Sequence, residues 1–324
     1  HNLAYQGWFH KEDMAQLRLG WEHFTHLGLE AFDAINLLKG GIYHANLVTT
    51  VSPTYAREIQ TPTFGEGLDG VLRSRRIDLF GVLNGIDYRV WDPTSDPLIP
   101  RNYSSDDLSG KRFCKADLQQ QAGLPQRPEV PLVGMVTRLS TQKGIDVVAA
   151  ALDRLLALDL QLVLLGTGDP WAMELFDNAS RANPERFKAW ITFDEQLAHR
   201  IEAGADFFLM PSRWEPCGLN QMYSMRYGTL PIVRATGGLE DTGINFDPSS
   251  GTGTCFKFHD LTPDTLTDTV AWAVRTFRED KLAMESMINQ AMQLDFSWDK
   301  AAATYEYYYR LAQVRETSDR MGGR

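Results

Sequence analysis

The sequence predicts an α/β protein in which helices cover a parallel sheet. From residue 130 onward, short apolar runs of strand length alternate with stretches of helix length, as in successive βαβ units. The run 211–242 has the same order: a Gly-rich turn ends one apolar run, a helix and a second apolar run follow, and a second Gly turn opens toward another helix. Carboxyl ends of parallel strands border the crevices where such sheets bind ligands, so we expect the side chains at these turns to share a site.

Before residue 82 the same alternation is less complete. It predicts one or two βα units, with a helix over 29–38, a strand over 45–52 and a Gly-rich loop over 61–70. The segment 80–93 is predicted to cross from this first region to the next.

The second region holds most of the predicted elements. Strands are expected over 130–139, 160–169, 186–193, 206–212 and 230–236, and helices over 145–159, 170–182, 195–204 and 218–227. A last helix over 298–314 carries four tyrosines that could dock on another domain. These patterns predict a first domain over 1–82, a second domain over 83–297 and a closing helix within 298–324 that packs back on the first domain.

Composition excludes several classes of function. The net charge is −10, without a run of Lys or Arg, so a nucleic-acid-binding face is not expected. No apolar stretch reaches the length of a membrane span, and the first residues do not resemble a signal peptide. The three cysteines form no CxxC pair, which argues against a disulfide framework or a structural zinc site. The absence of D-x-D and HExxH patterns predicts neither a metal nor a cofactor.

Two cations and one carboxylate stand out. Arg138 and Lys143 follow a predicted strand and precede a helix. Such a pair can hold a diphosphate, the Arg bidentately and the Lys as a point charge, although two solvated loop charges would look the same. Glu215 lies at a strand end between Trp214 and Pro216, where an unpartnered carboxylate is unusual. A functional role is favoured, and a helix N-cap is the alternative.

Other candidates are weaker. The turn 236–238 has the composition of a phosphate-facing loop, but glycines needed for a positive φ would look alike. The turn 166–169 contains only a GxG, which is more often a tight connection than a ligand site. Asn84 could contact a sugar, but Asn-Gly is first a turn signal. Nothing local identifies a role for His1.

The ordered motifs HNLAYQG, VSPTYAREI, GVLNGID, TRL-x-x-QKG, EPCGL, YGTLPIVR and DFSW resemble bacterial glycogen synthases and plant starch synthases over nearly the whole chain. The resemblance implies two facing Rossmann-like domains of the GT-B type, of which the first is incomplete in this chain. It also implies retaining transfer of glucose from ADP-glucose to the 4-OH of an α-1,4-glucan, without a metal.

The resemblance also assigns roles to individual residues. It implies that Arg138 and Lys143 hold the donor diphosphate, that Glu215 is the essential acid at the donor sugar, and that His1 and Asn84 lie near that sugar. It further implies sugar and phosphate contacts from the backbone at Cys217, Gly218, Leu219, Thr236, Gly237 and Gly238.

Three alternatives stay open. The family's Lys-x-Gly-Gly-Leu loop is not in this sequence, and the chain starts at His1, so we expect it to continue a longer protein. A non-catalytic nucleotide- or glucan-binding remnant is therefore one alternative. A UDP-sugar-dependent transferase of the same fold is another, and a dinucleotide-dependent oxidoreductase is a weaker third. The expected location is the cytoplasm for a bacterial protein and the plastid for a plant protein, and the sequence does not determine the oligomeric state.

Overall fold

A computed structural model describes residues 1–322, with side chains described through residue 317. The chain divides into two compact units. The first comprises His1–Asn84 together with Asp299–Arg324, and the second comprises Gly85–Trp298.

The first unit contains two small sheets. Its strands are β1 (Trp8–His10), β2 (Glu30–Ala31), β3 (Ala34–Asn36), β4 (Val48–Thr50) and β5 (Leu79–Gly81). The first three form an antiparallel sheet in the order β1-β3-β2, while β4 and β5 pair in parallel. Its helices before residue 85 are α1 (Met14–Leu17), α2 (Leu37–His44), α3 (Pro53–Glu58) and α4 (Asp69–Ser74), with 3-10 turns at Lys11–Asp13 and Trp21–His23.

The predicted helix over 29–38 is wrong. This segment forms the β2–β3 hairpin, which turns at Phe32 and Asp33 with φ of 52° and 62°, and α2 begins only after it. Asn36 caps α2 by accepting a hydrogen bond from the N–H of Lys39 at 2.9 Å. The Lys39 ammonium in turn donates to three backbone carbonyls in the segment 26–30. These tertiary contacts override the helical pattern of the sequence.

The second unit is built on one parallel sheet of six strands. They are β6 (Leu132–Val136), β7 (Gln161–Leu165), β8 (Phe187–Trp190), β9 (Phe207–Met210), β10 (Leu230–Arg234) and β11 (Phe256–Phe258). The order across the sheet is β11-β10-β9-β6-β7-β8, which, counted within the unit, is the 3-2-1-4-5-6 order of the Rossmann fold. The five predicted strands are confirmed in shorter form, and β11 was not predicted.

Helices cover this sheet on both faces. They are α5 (Ser109–Gln121), α6 (Ile145–Ala157), α7 (Pro170–Ala182), α8 (Glu195–Gly204), α9 (Asn220–Arg226), α10 (Gly237–Thr242), α11 (Pro263–Glu279) and α12 (Lys281–Met292). The four helices predicted here are confirmed, whereas α5, α11 and α12 were not predicted.

Alternate residues of each strand enter different cores. Leu162 and Leu164 pack with α6, α7, α11 and α12 on one face, while Val163 and Leu165 pack with α5 and α8 on the other. A parallel sheet buried on both faces reads as a continuous apolar run in the sequence, which is why β7 was predictable. The α/β class is confirmed.

The last helix, α13 (Trp298–Gly322), contributes to the first unit. The ring of Tyr308 lies 4.5 Å from that of Phe80, and Arg315 pairs with Asp78. Tyr307 and Tyr309 are 63% and 69% exposed, so only part of its aromatic face is covered. No helix within the described residues is long and apolar enough to cross a membrane.

Candidate functional site

The main candidate site lies in the second unit, where the strand order reverses between β6 and β9. The carboxyl ends of these two strands border a cavity of about 220 Å³. Such a topological switch point is where open α/β sheets bind ligands. The cavity is lined by Met135, Val136, Thr137, Arg138, Lys143, Leu209, Met210, Pro211, Ser212, Glu215, Gly218, Leu219 and Asn220.

The turn 166–169 shapes one side of this region. A Cβ added to Gly166 would lie 1.9 Å from the carbonyl oxygen of Thr137, and one added to Gly168 would lie 2.3 Å from that of Leu139. The chain's own backbone therefore fills the space that these glycines leave open. The turn is a tight connection, as the sequence favoured.

Lys143 is positioned by the residue that follows it. It ends a 3-10 turn, and Gly144 has φ of 69°. A Cβ on Gly144 would lie 1.9 Å from the carbonyl oxygen of Pro211, so only glycine permits this close approach. The approach brings the Lys143 ammonium to 2.5 Å from Oε2 of Glu215.

Glu215 is buried, with 6% of its surface exposed. Besides Lys143, the hydroxyl of Ser212 donates to Oε2 at 2.9 Å. A buried carboxylate needs such partners because desolvation of the charge is otherwise costly. The alternative of a helix N-cap is wrong, since α9 begins at Asn220 and its N-cap is Leu219.

Arg138 is the exposed cation of the cavity. Among its described contacts, the guanidinium has only a long one of 3.5 Å, to Oε1 of Gln142. A contact of that length contributes little. The guanidinium therefore keeps nearly all of its donors for an anion. The ammonium of Lys143 gives one of its three donors to Glu215, and its contact with a diphosphate stays a prediction.

The second Gly turn packs against the segment that carries Glu215. The N–H of Gly238 donates to the carbonyl of Glu215 at 3.0 Å. A Cβ on Gly238 would lie 1.9 Å from the carbonyl oxygen of Cys217, and Gly237 has φ of 46°. Close packing and a positive φ thus explain both glycines. Cys217 and Thr236 are buried and are not among the residues that line the cavity. The ligand contacts expected at 236–238 and at Cys217 stay predictions.

The amino-terminal end of α9 opens onto the cavity. Gly218 turns the chain with φ of 72°, and both Gly218 and Leu219 line the cavity. The side-chain amide of Asn220 donates to the carbonyl of Val136 at 3.0 Å, which fixes the helix to the end of β6. First-turn N–H groups of a helix lack intrahelical partners and attract anions.

A second cavity, of about 410 Å³, adjoins the first. The two share Val136, Thr137, Arg138 and Asn220. The rest of the second cavity is lined by Trp91, Leu165, Gly166, Thr167, Thr192, Phe193, Asp194, Glu195, Ala198, Glu202 and Tyr223. The ring of Phe193 is 89% exposed, so it offers a face for stacking. The sequence did not predict this cavity.

Its aromatic wall is held rigidly. Trp91 stacks on His199 at 3.7 Å and on Tyr223 at 3.9 Å. His199 Nδ1 lies 2.7 Å from Oδ2 of Asp96, which also accepts from the Tyr227 hydroxyl at 2.6 Å. Burial alone would raise the pKa of Asp96, but the hydrogen bonds from His199 and Tyr227 outweigh it, and the pKa is lowered.

Two predicted site residues belong to the first unit. His1 is exposed and lines a cavity of about 150 Å³ formed with Leu3, Leu38 and Tyr55 among others. Asn84 is the last residue of that unit before the chain enters the second. Their roles at a donor sugar stay predictions.

Three residues of the second unit were missed by sequence reasoning: Ser212, Asn220 and Glu202. Ser212 and Asn220 both lie within the run 211–242, the first near Glu215 and the second at the start of α9. A polar side chain close to residues already predicted to bind a ligand could have identified them. Glu202 carried none, because it resembles any acid on an amphipathic helix. Within the described residues, no group of three or more His, Cys, Asp or Glu side chains is arranged to hold a metal ion.

Comparisons with known proteins agree with this architecture. The family described as "Starch synthase catalytic domain" matches residues 1–74, and the family described as "Glycosyl transferases group 1" matches residues 117–293. Glycogen synthase 1 of Geobacter metallireducens is 56% identical over 309 residues, covering 95% of this chain and 62% of the relative. The glycogen synthase of an Anaeromyxobacter species is 57% identical, covering 96% of this chain and 65% of the relative. The chain thus spans less than two thirds of the length of these curated relatives.

A solved structure gives the same result. The catalytic domain of starch synthase IV from Arabidopsis thaliana, bound to ADP and acarbose, superposes with a TM-score of 0.90 and 34% identity. The match covers 96% of this chain and 66% of that one. The resemblance to glycogen and starch synthases and the GT-B type of fold are therefore confirmed, and the chain belongs to the glycosyl transferases group 1 family.

Proposed function

We propose that this chain is part of a glucosyltransferase that moves glucose from ADP-glucose to the non-reducing-end 4-OH of an α-1,4-glucan with retention. The observation that carries the proposal is the Arg138–Lys143–Glu215 constellation at the switch point of the sheet. The glycogen synthase relatives, and the starch synthase whose structure is described with ADP, supply the donor and acceptor classes. A location in the cytoplasm stays a prediction.

The cavities suggest how such a donor would lie. The diphosphate would meet Arg138 and the amino-terminal end of α9, where the two cavities join. The nucleoside would enter the larger cavity, whose rim carries the exposed ring of Phe193. Aromatic faces of this kind stack on nucleobases.

Cleavage of the glucosyl–phosphate bond places negative charge on the leaving diphosphate and positive charge on the anomeric carbon. Arg138 and the α9 N–H groups would stabilise the leaving group, and one such preorganised contact contributes about a hundred- to a thousandfold in rate. At Glu215, Lys143 and Ser212 both engage Oε2, so Oε1 remains to accept a hydroxyl of the donor sugar. Both a covalent route through Glu215 and same-face attack within an ion pair give retention.

The test is incorporation of labelled glucose from ADP-glucose into glycogen, run beside UDP-glucose. Incorporation from ADP-glucose that an α-1,4-specific hydrolase releases supports the proposal. Glu215→Ala is expected to abolish transfer while sparing ADP binding. Equal use of UDP-glucose would favour the UDP-sugar alternative, and saturable ADP binding without transfer would favour the binding-only alternative.

A further inference from the structure

The second cavity contains a buried acid with an unused oxygen. Glu202, on α8, lines this cavity and is only 1% exposed. The hydroxyl of Ser224 lies 2.6 Å from its Oε2 and 2.8 Å from the carbonyl oxygen of Asn220. Among the described contacts, no donor reaches Oε1. This oxygen can therefore still hydrogen-bond a ligand in the cavity.

The neighbouring cation does not supply a partner for Oε1. Lys111 Nζ donates to the carbonyl of Ala203 at 3.1 Å and to the hydroxyl of Thr229 at 2.6 Å. Burial raises the pKa of Glu202 well above its ordinary value, and the Ser224 hydrogen bond and Lys111 offset this only in part. Burial thus favours the neutral acid. The neutral acid can donate from Oε2 to the Ser224 hydroxyl, which then donates to the carbonyl of Asn220 at 2.8 Å, so Oε1 is left as an acceptor.

We propose that Glu202 is a binding residue for the nucleoside of the donor nucleotide, and that its Oε1 accepts a hydrogen bond from a donor group of that nucleoside. The inference rests on the proposed function, since it takes the diphosphate to lie at Arg138, where the two cavities meet. The stacked rings of Trp91 and Tyr223 form the adjoining wall of the same cavity. A nucleoside whose flat base lies along this aromatic wall can therefore also contact Glu202.

The test compares calorimetric titrations of the full chain with ADP and with inorganic pyrophosphate, which lacks the nucleoside. Glu202→Ala should weaken ADP binding about tenfold, the usual scale for a buried hydrogen bond, and leave pyrophosphate binding unchanged. Glu202→Gln should bind ADP nearly as the wild type does, since its amide keeps one acceptor toward the cavity and one donor for Ser224. The matched control is Glu285→Gln, an exposed acid on α12 that lines neither cavity, which should change neither titration.

Several results would overturn the inference. An unchanged affinity for ADP in Glu202→Ala would show that Glu202 does not contact the nucleoside. An equal loss of ADP and pyrophosphate binding would show that Glu202 acts only on the fold. A tenfold loss in Glu202→Gln would refute the acceptor role of Oε1. If the alanine variant does not fold, Glu202→Asp replaces it, because it withdraws the acid by one methylene and should also weaken ADP selectively. A wild-type chain that binds pyrophosphate but not ADP, or neither, would instead contradict the proposed function.

Discussion

Glu215 and Lys143 depend on each other at the level of single residues. Their ion pair is largely removed from water, with 19% of the Lys143 side chain and 8% of the Glu215 side chain exposed. Removing one partner of a buried pair leaves an uncompensated charge, whereas removing both charges can be nearly neutral.

We therefore predict that Lys143→Met lowers the free energy of unfolding by about 3 kcal/mol. Adding Glu215→Gln to that variant should restore most of the loss, because the remaining side chain is then uncharged and can still accept from Ser212. Urea denaturation of the two variants and the wild type measures both steps. A double variant no more stable than Lys143→Met would show that the pair is not the source of the loss.

Much of this site was predictable because its residues carry chemistry at strand ends. Arg138, Lys143 and Glu215 were identified from residue type and position, and they line one cavity. The sequence did not predict that Lys143 pairs with Glu215. Lys143 and Glu215 are 72 positions apart, and only the close approach of Gly144 to Pro211 brings them together. Glu202 and Trp91 were not predicted for the same reason, because their neighbours in the fold are distant in the sequence.

At the scale of elements, the first turn of α10 supports the segment that carries Glu215. The backbone of Gly238 contacts the carbonyls of Glu215 and Cys217 so closely that no Cβ fits. By contrast, Gly41 lies exposed inside α2, and an added Cβ would meet nothing within 4 Å.

These two glycines predict opposite effects of one substitution. Gly238→Ala should destabilise the chain by about 2 kcal/mol or more, since it forces main-chain atoms apart. Gly41→Ala should stabilise it by about 0.5–1 kcal/mol, by restricting the unfolded chain and improving helix propensity. Thermal unfolding of the two variants and the wild type measures both changes in stability. A Gly238→Ala variant as stable as the wild type would refute the packing described for this turn.

Some elements with strong local signals were found from the sequence, whereas the β2–β3 hairpin, which depends on tertiary contacts, was not. β7 is an unbroken apolar run, and α8 is capped by Asp194, so both are locally specified. The β2–β3 hairpin was mistaken for a helix because its turn uses Phe32 and Asp33 at positive φ. Neither residue type signals that conformation strongly.

The junction of α5, α8 and β10 contains a buried lysine whose charge depends on pH. Burial lowers the pKa of Lys111 to about 8 from its ordinary value of 10.5. Between these values the unfolded chain binds more protons than the folded one, so this group makes stability rise as the pH rises from about 8 to 10. Below pH 8 its cost is fully present.

We predict that Lys111→Met removes this component. The difference in unfolding free energy between the wild type and this variant should shift in favour of the wild type by about 1–3 kcal/mol between pH 8 and pH 10. Denaturant titrations at several pH values measure it, and Lys188→Met, a partly exposed lysine on β8, is the control. A difference independent of pH would contradict the lowered pKa.

At the scale of the whole molecule, the second unit holds the Rossmann strand order and both adjoining cavities. Its first and last residues lie side by side, since a Cβ on Gly85 would be 2.5 Å from the backbone of Trp298. The bridge between Ile86 and Ser297 continues that contact. The two ends of the unit are therefore in contact, and its cavities are formed from its own residues.

We propose that this unit binds a nucleoside diphosphate at the switch point between β6 and β9. The most direct measurement is a calorimetric titration of the chain with ADP, with UDP for comparison, repeated on Arg138→Ala and on the control Arg181→Ala. Arg181 is an exposed arginine that pairs with Asp177 on α7, away from the residues that line either cavity. We predict saturable binding of ADP, weaker binding of UDP, and at least about a tenfold loss in Arg138→Ala alone. ADP binding that is absent, or that persists unchanged in Arg138→Ala, would contradict the claim.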